Sequence, residues 1–204
     1  MGLPPERGQE PVSVAYDYGP YTVEDLHGLP DNGRSYELVD GWLIELAPST
    51  RHDFLARRLS RILERAAEAA KARVYVQAPM DISTPAGARK PDVAVIDATA
   101  ASSARRLGRS LYHGADVLLA VEVVSRGSGS EREDRGRKVT EYALAGIPQY
   151  WIVDFDPEPQ IQILRLTDDL GRYGTPLRFS SDDTVKIEDP FLVSFPLSDL
   201  QDFA

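Results

Sequence analysis

The chain has 204 residues and a net charge of −9, and its 42% hydrophobic and 27% charged residues are typical of one globular domain. It contains no cysteine, which excludes disulfide bonds and thiolate metal sites. No apolar run is long enough to cross a membrane and the N-terminus lacks the apolar stretch of a secretory signal, so we expect a cytoplasmic protein without a membrane partner. The acidic charge argues against a protein that coats nucleic acid non-specifically, but it allows one basic face on an acidic body, and carboxylates that bind a cation would add to the negative count.

The N-terminal region divides into a leader and the start of a domain. Residues 1–20 contain four prolines and no regular period, which predicts a flexible leader, followed by a single domain over residues 21–204. Thr22 and Asp25 have the spacing of a capping box and predict a short helix over residues 22–29.

A hairpin comes next. Apolar residues lie on both sides of the pair Asp40-Gly41, which is the strongest short signal for a two-residue β-turn. This pattern predicts one strand over residues 35–39 and a second over residues 42–47.

Residues 50–72 give the clearest helical pattern. Thr50 and Asp53 form a capping pair at its start, and apolar residues recur at helical spacing through Leu59 and Ile62. The remaining positions are rich in arginine, so we expect the apolar stripe to face a sheet and the arginines to face solvent.

The second half of the chain alternates strands and helices. Residues 98–116 are predicted to form a polar connection, and residues 132–145 a helix that ends at Gly146. Apolar and β-branched runs predict strands over 73–82, 90–97, 116–125, 149–155 and 160–166. This order predicts an α/β fold, a mixed sheet flanked by helices with the hairpin added in front.

Glu122 is the one charged residue in the run VLLAVEVV, which is typical of a strand buried on both faces. Burial of an isolated carboxylate costs on the order of several kcal/mol, so Glu122 needs a partner such as a metal ion or a lysine. The alternatives are a structural salt bridge or a position at an exposed strand end.

Asp92 follows Pro91 at the start of another apolar strand, where a residue without a donor N–H is tolerated. If this strand runs antiparallel to residues 117–124, Asp92 and Glu122 approach each other on neighbouring strands. Taken alone, Asp92 is better explained as the cap of a turn.

Two carboxylates that converge at one end of a sheet favour a magnesium site. Magnesium prefers oxygen ligands, keeps several waters, and is often held by one or two carboxylates together with substrate phosphate. The absence of cysteine and the scatter of His27, His52 and His113 along the chain argue against zinc.

Asp134 and Lys138 are four residues apart and therefore share one face of the second predicted helix. That helix follows the strand of Glu122, so the Lys138 ammonium can face a metal-bound water or the scissile phosphate. Arg135 is the nearest rival in direction, at about 60° around the helix. The alternative for the pair is an ordinary exposed ion pair.

These residues lie in segments that resemble a known family. The segments are YELVDG, RKPDVAV, VEVVS, the D-x-x-x-K of the second helix, and EYALAGIPQYWIVD, which is the most distinctive. Over residues 20 to 200 the chain resembles the Uma-two endonuclease family of the restriction-endonuclease-like superfamily, which carries the PD-(D/E)XK signature.

The resemblance implies a core of mixed strands flanked by helices and a magnesium ion, replaceable by manganese, bound by the motif acids. Asp92 would match the first motif acid and Glu122 the second. The usual signature places a lysine two residues after the second acid, where this chain has Val124. Family members resemble this chain in carrying the lysine on the following helix, where Lys138 stands.

Glu37 and His52 also stand at positions that resemble the family pattern. Glu37 is a candidate further ligand of the metal or of water, and His52 a candidate phosphate contact at a helix N-terminus. A structural role is an equal alternative for each. Asp134 is a further accessory candidate.

The sequence supports two hypotheses about function. The first is a magnesium-dependent endonuclease that hydrolyses DNA phosphodiester bonds by means of a metal-bound water, with Asp92, Glu122 and Lys138 as catalytic residues. The second is a catalytically inactive nuclease-like module for dimerisation or nucleic-acid binding, which the acidic charge and the displaced lysine favour. Analogy with small nucleases that cut both strands suggests a homodimer.

Overall fold

The computed structural model describes residues 19–77, 79–127, 130–168 and 171–201. The predicted leader therefore lies outside the described residues except for Gly19 and Pro20. The helices are α1 (Val23–His27), α2 (Thr50–Ala69), α3 (Ala98–Arg106) and α4 (Lys138–Leu144). The strands are β1 (Ser35–Val39), β2 (Trp42–Leu46), β3 (Val74–Gln77), β4 (Ile82–Thr84), β5 (Gly87–Arg89), β6 (Val93–Asp97), β7 (Tyr112–His113), β8 (Val117–Val124), β9 (Gln149–Asp154), β10 (Gln160–Arg165), β11 (Leu177–Phe179), β12 (Thr184–Ile187) and β13 (Val193–Pro196).

A six-stranded mixed sheet forms the centre of the fold. Its strand order is β11-β10-β9-β8-β6-β3, in which β8 and β9 are parallel and the other neighbours antiparallel. Strands β6 and β8 pair antiparallel with Val93 opposite Val121, which is the orientation on which the sequence argument for Asp92 and Glu122 depended. Most residues of β8 and β9 are buried, which explains their nearly continuous apolar sequence.

Helices cover both faces of this sheet. Helix α2 packs on one face together with β12 and β13, while α3 and α4 pack on the other. The buried stripe of α2 runs through Leu55, Leu59 and Leu63, so the predicted stripe is correct at Leu59, whereas Ile62 is only partly buried. In the described part of the chain, no helix combines the length and apolar character needed to cross a membrane.

The N-terminal hairpin belongs to a second sheet of five strands, in the order β2-β1-β5-β4-β7. Asp40 and Gly41 both adopt left-handed backbone angles (φ 48° and 81°), as the tight turn between antiparallel strands requires. The sequence treated residues 73–82 as one strand, but β3 and β4 lie in different sheets. Pro79 stands between them and cannot donate to a ladder, so the run cannot continue as one central strand.

Other features also differ from the sequence prediction. Helix α3 forms inside the segment predicted as a polar connection. Its first turn is capped by the side chain of Asp97, which accepts hydrogen bonds from two backbone N–H groups, and its buried face consists of alanines that give a weak apolar signal. The cap of α2 is Ser49 rather than the predicted Thr50 pair. A π-helical turn, Glu133–Arg137, precedes α4 within the predicted helix.

Candidate active site

The β6–β8 pairing sets the position of Asp92. Asp92 directly precedes β6, and its Oδ2 accepts a hydrogen bond of 2.7 Å from the backbone N–H of Val123, the residue after Glu122. The side chain of Asp92 is 15% exposed. Its second oxygen, Oδ1, accepts no hydrogen bond from the residues that the structure describes.

Glu122 lies on the face of β8 that α4 covers, and it is 3% exposed. Its Oε1 accepts hydrogen bonds from Lys138 Nζ (2.9 Å) and from the Tyr142 hydroxyl (2.7 Å). In the described part of the chain, no donor reaches Oε2. Asp92 and Glu122 therefore each hold one oxygen in a fixed hydrogen bond and keep the other available for a ligand.

Lys138 connects three acidic residues. Its Nζ lies 2.9 Å from Glu122 Oε1, 3.0 Å from Glu37 Oε1 and 3.0 Å from Asp134 Oδ1. The Asp134–Lys138 pair is thus buried and not an exposed ion pair. Burial disfavours the ammonium, but the surrounding carboxylates outweigh it and raise the pKa of Lys138 well above its usual value, so the charge is permanent at physiological pH.

Glu37 supports this lysine from β1. Its Oε1 accepts a hydrogen bond from the backbone N–H of Lys90 (2.9 Å), and its Oε2 accepts one from Arg89 Nη1 (2.9 Å). Burial alone would raise the pKa of Glu37, but the charges of Lys138 and Arg89 lower it below the ordinary value. Because protein donors engage both oxygens, the geometry favours the structural alternative for Glu37 over that of a metal ligand.

Several members of the buried network were not predicted from the sequence. Arg89 is fully buried and bonds to Glu141 (2.7 and 2.8 Å) and Glu133 (3.1 Å) as well as to Glu37. The segment RKPDVAV contains no feature that predicts burial for Arg89 and not for the neighbouring Lys90, whose side chain is 22% exposed.

Two tyrosines were also missed as site residues. The Tyr142 hydroxyl binds Glu122, and the Tyr150 hydroxyl donates to the backbone carbonyl of Asp134 (2.8 Å). Both tyrosines are fully buried in the segment EYALAGIPQYWIVD, whose distinctive pattern was the available signal.

His52 and Arg135 lie at the edge of the network. His52 occupies the first turn of α2, and its Nε2 is 3.0 Å from Asp92 Oδ2. Burial would lower the pKa of His52, but its hydrogen bond to Asp92 raises it. Arg135 pairs with Glu131 (3.1 Å) and with Asp154, so this rival of Lys138 is engaged away from Glu122.

The charge balance of the site fits a divalent cation. Burial, followed by the nearby carboxylates, raises the pKa of Glu122 well above its usual value, and Lys138 offsets this only in part. Among the described residues, no group of three or more His, Asp or Glu side chains is arranged to hold a metal ion by itself. The available oxygens of Asp92 and Glu122 are the kind of donor set that holds magnesium together with waters and substrate phosphate.

Comparison with known proteins identifies the family. The family model Uma2, described as "Putative restriction endonuclease", matches residues 23–198. The chain belongs to the Uma2 family. This confirms the resemblance found in the sequence motifs, and family and fold together support a nuclease role for this Uma2 protein.

A solved structure shows the same fold. It is described as "a putative nuclease belonging to DUF820" from Anabaena variabilis ATCC 29413, and it matches with a TM-score of 0.67 and 14% identity over 88% of this chain and 96% of that chain. The likeness confirms the predicted α/β fold with a mixed sheet flanked by helices. No curated protein matches the chain.

Proposed function

We propose that this Uma2 protein is a divalent-metal-dependent endonuclease that hydrolyses phosphodiester bonds in DNA. The proposal depends above all on the geometry of Asp92 and Glu122. Each has one oxygen fixed by the protein and one available, and both lie where β6 and β8 pair. The description of the family as a restriction endonuclease supports DNA as the substrate.

Asp92 and Glu122 would hold Mg²⁺, for which Mn²⁺ can substitute. A bound ion would favour deprotonation of the attacking water and neutralise the negative charge that develops on the phosphoryl group. The pair suits this ion because magnesium requires only one or two protein carboxylates and takes its other ligands from water and phosphate.

Lys138 would have two tasks in the reaction. Its hydrogen bond to Oε1 fixes the Glu122 carboxylate, which leaves Oε2 as the ligand oxygen. Its permanent charge beside Glu122 favours the build-up of negative charge on the phosphate during attack. Glu37 and Asp134 keep the ammonium in place, since each lies 3.0 Å from Nζ.

Cleavage of supercoiled plasmid DNA tests this proposal. Wild type is compared with Asp92→Ala, Glu122→Gln and Lys138→Met in Mg²⁺, in Mn²⁺ and in EDTA. We expect metal-dependent cutting by wild type and a loss of about 100-fold to 1000-fold in each variant, the range found when one group that stabilises the transition state is removed. Arg135→Ala is the matched control, because Arg135 lies in the same turn region but pairs away from Glu122.

Two results would contradict the proposal. If wild type cuts and the Asp92 and Glu122 variants cut equally fast, these acids do not form the site. If wild type cuts no DNA with either metal, the chain is a catalytically inactive module of nuclease fold, and its role is then sought in DNA binding or dimerisation.

A further inference from the structure

Asp92 is held by two donors from different parts of the fold. The backbone N–H of Val123 donates to Oδ2 from β8, and His52 Nε2 lies 3.0 Å from the same oxygen. Since the carboxylate can only accept, Nε2 must carry the hydrogen of this bond. The bond forms with the charged imidazole and with the neutral tautomer that carries its hydrogen on Nε2.

Two donors on one oxygen fix the rotation of the carboxylate. With Oδ2 engaged from β8 and from α2, rotation about the Cβ–Cγ bond would break both hydrogen bonds at once. The remaining oxygen, Oδ1, is thereby held in one direction. A backbone donor alone would define the position of Oδ2 but would leave the plane of the carboxylate less restricted.

The first turn of α2 places His52 beside Asp92. Ser49 caps the helix, and its hydroxyl accepts a hydrogen bond of 3.2 Å from the backbone N–H of His52. The His52 side chain is 14% exposed, and Asp92 is similarly shielded at 15%. The contact between them is therefore largely shielded from solvent.

The other side of the imidazole ring is poorly satisfied. Nδ1 is buried without a hydrogen-bond partner and lies 3.7 Å from Asp53 Oδ1, beyond hydrogen-bond distance. A histidine that served only packing would be replaceable by an apolar side chain without this unsatisfied nitrogen. The contact that explains a histidine here is the one from Nε2 to Asp92.

We propose that His52 is a positioning residue that orients Asp92 so that Oδ1 faces the metal ion. This inference rests on the proposed function, since it assigns Asp92 as a metal ligand. It differs from the expectation that His52 contacts phosphate, because Nε2 lies against Asp92 and Nδ1 is buried.

Mn²⁺ titration of the purified full chain by isothermal calorimetry tests the inference without relying on cleavage. His52→Phe keeps the ring but removes the donor, and His52→Gln places an amide N–H near the position of Nε2. We expect His52→Phe to weaken Mn²⁺ binding about 10-fold to 100-fold, the usual effect of losing a hydrogen bond to a ligating group, and His52→Gln to recover most of the affinity.

His27→Phe is the matched control. His27 also pairs with an aspartate, through Nε2 at 3.1 Å from Asp81 Oδ2, but it does not contact Asp92 in the described structure. Its variant should bind Mn²⁺ as wild type does. Circular dichroism and thermal melting in EDTA establish that each variant is folded.

The outcomes separate this inference from the proposed function. If wild type binds Mn²⁺ and folded His52→Phe binds it equally well, or if His52→Gln is as weak as His52→Phe, the inference is wrong and the metal site stands. If wild type and Asp92→Ala both fail to bind Mn²⁺, the metal site is wrong and the inference fails with it. Should His52→Phe not fold, His52→Asn replaces it, because its shorter amide cannot reach Asp92, and wild-type affinity in that variant overturns the inference.

Discussion

Replacement of Lys138 by methionine should destabilise the metal-free protein strongly. Lys138 is 4% exposed, and its ammonium lies within 3.0 Å of three carboxylates, those of Glu37, Glu122 and Asp134. Methionine keeps most of the side-chain volume but removes the shared positive charge. Glu37 retains Arg89 as a partner, whereas Glu122 and Asp134 lose the cation that each of them contacts.

The size of the effect follows from burial. Removing one partner of a buried ion pair costs about 3–5 kcal/mol, because the remaining charge stays desolvated. A domain of this size loses about 2–4 °C of melting temperature per kcal/mol, which predicts a fall of about 6–20 °C. Protonation of Glu122 would remove one uncompensated charge and so reduce the loss of stability in Lys138→Met. The loss should therefore be larger at pH 8 than at pH 5.

Urea denaturation in EDTA, followed by circular dichroism, measures the free energy of unfolding. Arg34→Met is the control, since the side chains of Arg34 and its partner Glu45 are 59% and 46% exposed and exposed ion pairs contribute about 0–1 kcal/mol. The double variant Lys138→Met/Glu122→Gln should recover part of the loss, because it removes one of the uncompensated charges. The reasoning is refuted if Lys138→Met loses less than about 1 kcal/mol, which is an ordinary effect of a single substitution, or if the double variant is as unstable as the sum of the two single variants.

Three further predictions test the fold and the network. Leu59→Ala, at a fully buried position of α2, should lose about 2–5 kcal/mol of unfolding free energy in urea, and a loss below 1 kcal/mol would contradict the packing of α2 on the sheet. Asp97→Ala should lose about 0.5–2 kcal/mol in the same assay, because α3 loses its cap, and unchanged stability would show that the cap contributes nothing. Glu37→Gln should remain folded but cut plasmid DNA about 10-fold to 100-fold more slowly, because the lysine loses a charged support, and wild-type cleavage would remove Glu37 from the site.

The sequence predicted a turn and some helix ends correctly, because their geometry depends on residues that are close together in the chain. The turn at Asp40-Gly41 and the capping box of Thr22 with Asp25 form as expected, and Gly146 has the left-handed angle (φ 82°) of a residue that ends a helix. Each of these features involves hydrogen bonds or backbone angles within a few residues. Their physical causes are therefore visible in a short stretch of sequence.

The division of the strands into two sheets was not visible in this way. Pro79 marks a break in residues 73–82, but it does not show that β3 pairs with β6 while β4 pairs with β5 and β7. Partner choice between strands depends on contacts distant in sequence, which periodicity does not encode. Helix α3 was missed for a different reason, because its buried face is made of alanines, which give a weak apolar signal.

A residue of the candidate site could be predicted from the sequence only where a charged side chain lies among apolar neighbours in the chain. Glu122 stood out because it is a carboxylate in a buried strand, and that conflict required a partner. Arg89 is equally buried, but it lies in a short polar segment next to Lys90, so no such conflict marked it. Its role depends on Glu37 and Glu141, which come from other elements of the chain.

The position of the site lysine has a physical explanation in the packing of β8. Alternate residues of a strand share a face, so Val124 points to the same side as Glu122, and there it is 1% exposed in the core beneath α3 and α4. A lysine at position 124 would place its ammonium in that apolar core. Helix α4 crosses the same face, so Lys138 reaches Glu122 Oε1 at 2.9 Å while Val124 completes the core. In this chain the buried cation beside Glu122 comes from α4 and not from β8, which accounts for the difference from the usual spacing of the signature.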